Sequence, residues 1–226
     1  MYYVIWQRLM PSDWATFFSA NASAIFALVG ALGAGALSAA TAFIVKRREF
    51  DLSLTAKLFE RRIAAHEKVI EIATEMRVMV PLGGSTTDGE VRRAPNVMMS
   101  RESFDDWLAS FTQRSLGGTS WLSTNAKREL NLVQDYLLTL HMHLGGVPNE
   151  RYPDLGALIR QDFIDLSSSL EKQSFEFFRT GVRQLQLDSL DKWHKYERKE
   201  TERRLGETAL GKNFETFAQS RARDAR

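Results

Sequence analysis

Between Trp14 and Val45 there is no Asp, Glu, Lys or Arg, in a chain that is 26% charged; Lys46, Arg47 and Arg48 follow at once. No other feature restricts the fold as tightly. Soluble elements carry charge on their outward faces, so a run of this length calls for burial in protein or in lipid. Within it, Ala22 to Val45 would form a helix of about 36 Å, against a hydrocarbon core of about 30 Å. Its bulky residues are Ile25, Phe26, Leu28, Val29, Leu32, Leu37, Phe43, Ile44 and Val45, and the rest are Ala, Gly, Ser and Thr. Trp6, Trp14, Phe17 and Phe18 precede it, as an interfacial aromatic belt would. A cleaved signal peptide is the weaker reading, because the stretch is long, bases follow it and Arg8 alone precedes it. The expectation is a retained single span. Lys46, Arg47, Arg48, Lys57, Arg61 and Arg62 then put the body of the chain in the cytoplasm by the positive-inside rule, with Lys46, Arg47 and Arg48 at the lipid headgroups.

The same letters allow a second reading. Gly33-Ala34-Gly35-Ala36-Leu37-Ser38 approximates the glycine turn that lets a backbone approach a dinucleotide pyrophosphate. Against it, Leu54-Thr55-Ala56 stands where the ribose-binding acid belongs, and no strand–helix alternation follows. The supposed first strand is also rich in small residues rather than β-branched ones.

Ala27, Ala31, Gly35 and Ala39 recur every four residues along the expected span. Small side chains at that spacing let two membrane helices approach closely, so this stripe is the candidate self-association face and a homo-oligomer is expected. Any alanine-rich span produces such spacings, so an unpartnered helix is the plain alternative.

Beyond Val45 the apolar period is that of a helix. Leu54, Leu58, Arg62, Ala65, Val69, Ile72, Met76 and Val80 form one stripe, and Glu67, Glu71 and Glu75 lie beside it as a solvated face. Ser12 is a fair N-cap and no proline falls between Pro11 and Pro81, so one helix could run from the membrane onward, with a bend near Phe50 as an option. The segment 81–95, "PLGGSTTDGEVRRAP", reads as a mobile loop, with Arg92 and Arg93 as surface charge. Ser103 would cap a helix over 104–114 with Phe104, Trp107, Leu108 and Phe111 inward. Ser123 or Thr124 opens another that carries Leu130, Val133, Leu137, Leu140 and Leu144 and stops at Gly145-Gly146. Pro153 leads into a helix over 155–178, and a last helix covers about 182–204. No strand or hairpin signal stands out.

The expected fold class is all-α: a single N-terminal transmembrane helix followed by a cytosolic helical bundle. Its parts are an interfacial segment (1–21), the span (22–45), a long juxtamembrane helix (46–80), a loop (81–99), the bundle (100–205) and a loosely held charged tail (206–226).

Chemistry is harder to find. The chain has no cysteine, so thiolate ligands and nucleophiles are absent. The segment 206–213, "GETALGKN", approaches a phosphate loop, but Asn213 replaces the magnesium-binding Ser or Thr and no strand precedes it. His141 and His143, two apart on a helix, face different ways, and His66 and His194 read as packing or surface residues. Asp105 and Asp106 splay apart. The bases and aromatics of Asp191–Arg204 suggest a nucleic-acid helix at first, yet Glu197, Glu200 and Glu202 dilute the charge and the whole chain is only +2. No catalytic, cofactor or metal residue is nominated, and a non-enzyme is expected.

The segments "KLFERRIAAHEKVIEIA", "WLASFTQRSLGGTSWLSTNAKREL" and "LGALIRQDFIDL" resemble a loose class of uncharacterised bacterial single-span proteins with a small cytosolic helical domain. The likeness covers most of residues 22–180 and rests on packing patterns. It implies a membrane-anchored module, an effector or regulator of the kind found in anti-phage loci, and it carries over no catalytic residue. The anchor, the small-residue stripe and the lack of a catalytic set lead to the expectation of an inner-membrane protein whose cytosolic bundle binds a protein partner.

Overall fold

A computed structural model describes residues 12–85, 91–181 and 195–213. The chain divides into two compact units, 1–58 and 59–226. The first holds α1 (Ser12–Ala20) and the leading part of α2 (Ala22–Met76). Asn21 joins them with little interruption: its N–H donates to the Phe17 carbonyl at 3.0 Å, and its own carbonyl accepts from Ile25 at 2.9 Å. Helical hydrogen bonding runs through Phe50 and on to Met76, so the expected span and juxtamembrane helix are one element.

In the second unit, α2 presents Ala65, His66, Val69, Ile72, Ala73 and Met76 to the core. Ala65, Val69, Ile72 and Met76 are the centre of the expected stripe. Each of Val69, Ile72 and Met76 contributes about 1.5–3 kcal/mol by leaving water. After α2 the chain makes an antiparallel hairpin, β1 (Met79–Ser85) and β2 (Val91–Pro95), in which Met79 pairs with Pro95 and Val80 with Ala94. The fold is mostly helical, in keeping with the all-α expectation, and the segment expected as an 81–99 loop contains paired strands. The alternation that announces a strand is missing because the strands are short, Pro81 and Gly83 interrupt the first, and the register shifts between Pro81 and Ser85.

Helix α3 (Arg101–Leu116) begins three residues earlier than expected. Ser100, not Ser103, is its cap, with the Ser100 hydroxyl accepting from the Ser103 N–H at 3.0 Å. Asn149 satisfies another open amide by accepting from Arg101 N–H at 2.8 Å. Phe104 and Phe111 are buried, with Trp107 and Leu108 packed beside them.

Helix α4 (Thr124–Leu144) is capped by Ser123 and buries Leu130, Val133, Leu137, Leu140 and Leu144 as expected, together with Leu132 and Tyr136. It ends at Gly145-Gly146, where Gly146 takes a φ of 80°, a left-handed conformation that a side chain resists.

The expected 155–178 helix is two: α5 (Tyr152–Leu158) and α6 (Arg160–Glu176), broken at Ile159, followed by a π-helical turn over Phe177–Gly181. Ile159, Phe163, Leu166, Leu170 and Phe177 point inward, and Leu158 does not. Last come α7 (Arg198–Glu207) and α8 (Ala209–Lys212). The first part of the expected final helix, with Leu185, Leu187, Leu190 and Trp193, lies outside the described residues. The tail was expected to be loose from Gly206, but Leu210 is buried in the core; residues 214–226 lie outside the described residues.

Candidate functional site

An 18-residue window of α2 has a mean hydropathy of 2.0, and none of it is buried. Phe26, Leu28, Val29, Leu32, Leu37, Phe43, Ile44 and Val45 are all exposed. The helix of a soluble core would show the opposite pattern, with its apolar side chains covered. Covering these eight is worth roughly 12–24 kcal/mol at 1.5–3 kcal/mol each, as much as the whole stability of an ordinary domain. One helix of this chain is therefore long and apolar enough to cross a membrane.

Thr41 donates its hydroxyl to the Leu37 carbonyl at 2.8 Å, so it adds no unpaired donor to the apolar surface. Ala27, Ala31, Gly35 and Ala39 are exposed, and a Cβ added at Gly30, Gly33 or Gly35 would meet no atom within 4 Å. Lys46, Arg47 and Arg48 are exposed at the end of the apolar run. Ahead of it, on α1, the rings of Trp14, Phe17 and Phe18 contact one another with centroids 6.0–6.4 Å apart. Trp6 lies outside the described residues. Gly33 and Gly35 sit inside uninterrupted helix with no strand before them among the described residues, so they form no phosphate-binding turn.

The polar residues of the second unit act as structural locks. His66, the buried histidine, lies flat on Phe177 with ring centroids 3.9 Å apart. Its Nδ1 is 2.8 Å from the Arg62 carbonyl, and its Nε2 accepts from the Ser123 N–H at 3.2 Å. That arrangement requires the neutral ring protonated on Nδ1. Burial, reinforced by the positive charge of Arg62, lowers its pKa to about 4. Arg62, expected within the apolar stripe, places its guanidinium over the Phe177 ring at 4.8 Å.

Glu75, expected on a solvated face, instead takes both Arg114 guanidinium nitrogens at 2.7 and 2.6 Å and the Trp107 indole N–H at 3.0 Å. Arg114 holds its carboxyl below the usual range. Glu129 is buried on α4 and accepts from Arg204 at 2.9 and 3.1 Å and from the Tyr196 hydroxyl. Asp162, buried on α6, accepts from the Tyr136 hydroxyl at 3.0 Å and from the Ala209 and Leu210 amides at 2.6 and 2.9 Å. Burial, with the Asp162 carboxylate beside it, pushes the Tyr136 hydroxyl well above its ordinary pKa.

The last contact also explains the phosphate-loop look-alike. Its helix-opening amides hold Asp162, so a carboxylate of the protein fills the place of an anion. The arginines of α7 are likewise engaged at home: Arg198 with Glu202, Arg203 with both Glu200 and Glu207, and Arg204 with Glu129. His141 stands 3.5 Å from Asp105, His194 lies outside the described residues, and no metal-binding cluster occurs among the described residues.

No family model matches the chain. No curated protein or solved structure is significantly similar to it either. The sequence pattern named Ala27, Ala31, Gly35, Ala39 and the three bases, all found exposed. It missed Glu129 and Asp162, whose partners lie 26 to 75 residues away, and no local signal connects them.

Proposed function

We propose that the chain is a single-span inner-membrane protein whose helical second unit is cytoplasmic and binds a protein partner, and that copies associate through the span. The observation that carries this reading is the exposed, charge-free length of α2, which water disfavours and lipid accommodates. The Trp14–Phe17–Phe18 cluster ahead of it and Lys46, Arg47 and Arg48 after it support an interfacial belt and an inside-positive end. The open stripe of Ala27, Ala31, Gly35 and Ala39 supports self-association without catalysis, because a neighbouring helix could approach there closely. On the resemblance alone, the module serves as an effector or regulator of anti-phage defence.

Gly35→Ile tests the association. Placing a large β-branched side chain on the stripe should reduce cross-linked dimer in membranes at least several-fold while the protein remains membrane-bound. Unchanged cross-linking would remove the stripe as the contact.

A further inference from the structure

Arginine exceeds carboxylate where the hairpin meets α5. Arg92 and Arg93 are neighbours on β2, Asp154 lies on α5, and Arg160 opens α6. The helix can lie close to the hairpin because residue 156 is glycine: a Cβ there would come 2.7 Å from the Met98 Cβ and 3.2 Å from that of Ala94. Beside this contact is an open cavity of about 350 Å³, lined by the three arginines, Asp154, and the apolar Val91 and Leu158 among others. Among the described residues Asp154 is the one acid that lines it, and it bonds Arg92 at 2.9 Å. The guanidinium groups of Arg93 and Arg160 have no such partner among the described residues.

We propose that this cavity binds a phosphate group carried on a small, partly apolar molecule. Guanidinium forks match phosphate oxygens two at a time, and an Arg92 already held by Asp154 loses little freedom on binding. Two positive charges with no ion-pair partner among the described residues, set in a concave surface, favour an anion over a neutral ligand. The volume suits a headgroup-sized molecule and is too small for a helix or strand of a partner. Val91 and Leu158, exposed at 50% and 38%, give an apolar body somewhere to rest. The phosphate could be that of a lipid headgroup or of a soluble compound, and the chemistry of recognition is shared.

The test uses the full chain in nanodiscs of zwitterionic lipid at low salt, titrated with inorganic phosphate, with water-soluble dihexanoyl phosphatidylglycerol and with a polyglutamate peptide. Saturable binding of at least one phosphate probe is expected. It should weaken tenfold or more in the Arg93→Gln/Arg160→Gln double variant and stay unchanged in Arg198→Gln. Tighter binding of the short-chain lipid identifies a headgroup site, and tighter binding of inorganic phosphate a soluble ligand. The replaced side chains make no ion pair among the described residues, so the thermal midpoint should hold; should it fall, the single Arg160→Gln variant is expected to show the same direction of loss. The proposal is overturned if neither phosphate probe saturates, if the variants bind as well as the parent, or if polyglutamate binds more tightly than both.

Discussion

His66 illustrates how one buried side chain makes the second unit sensitive to acid. Its pKa is about 4 in the folded chain and about 6.5 in an unfolded one. Above pH 6.5 both states are neutral there, and the stabilisation is complete. Between pH 6.5 and 4 the unfolded chain takes up a proton that the folded chain refuses, so stability falls as pH falls, by at most about 3 kcal/mol. In detergent, the thermal midpoint should therefore drop between pH 7 and pH 5, and His66→Phe should flatten this drop while lowering the midpoint at pH 7. A parent and variant with parallel pH profiles would refute the neutral, Nδ1-protonated assignment. Gly156 makes the complementary steric point. Gly156→Ala puts a methyl group against Met98 and Ala94, an overpacking that costs about 1–3 kcal/mol and should lower the thermal midpoint at every pH. A midpoint equal to the parent's would mean that the hairpin and α5 can separate freely.

At the scale of elements, the C-terminal pair α7–α8 is held largely by charge placed on two other helices. Glu129 on α4 binds Arg204 and Tyr196, and Asp162 on α6 caps α8. Asp162→Ala leaves the Tyr136 hydroxyl and two amides without their acceptor, each a loss of about 1–3 kcal/mol before water replaces it. Hydrogen exchange should accelerate over 198–213 while α3 stays protected; uniform acceleration through the unit would instead show that these elements unfold together. Elements defined by nearby residues were legible in the sequence. Ser123 before α4 and Gly145-Gly146 after it mark both ends by short-range chemistry, and the spacing of Ala65, Val69, Ile72 and Met76 reads as one helix face. The hairpin was not legible, since Pro81, Gly83 and two exposed arginines hide the strand pattern, and the pairing that defines it is a tertiary event. The break at Ile159 was equally silent: no proline or glycine marks it, and the preceding Gly156 serves the contact with Met98.

For the whole molecule, the charge gap from Trp14 to Val45 announced the apolar helix, and the structure adds that nothing among the described residues covers it. That exposure, rather than the hydropathy alone, separates this helix from the core of a soluble fold. The locks of the second unit, His66 and Glu75 of α2 among them, lie beyond the apolar run and stabilise the unit through contacts of its own, so replacing residues of the apolar run should alter location before it alters the unit's packing. The candidate site was partly readable for the same reason: exposed periodic residues can be named from spacing, whereas Arg160 joins Arg92 and Arg93 only once α5 lies on the hairpin. Partition of the whole chain between membranes and buffer decides whether the apolar run of α2 lies in lipid. The chain should float with vesicles, resist extraction by alkaline carbonate and come free only in detergent. Recovery of the intact chain as a soluble, monodisperse species in plain buffer would contradict this placement.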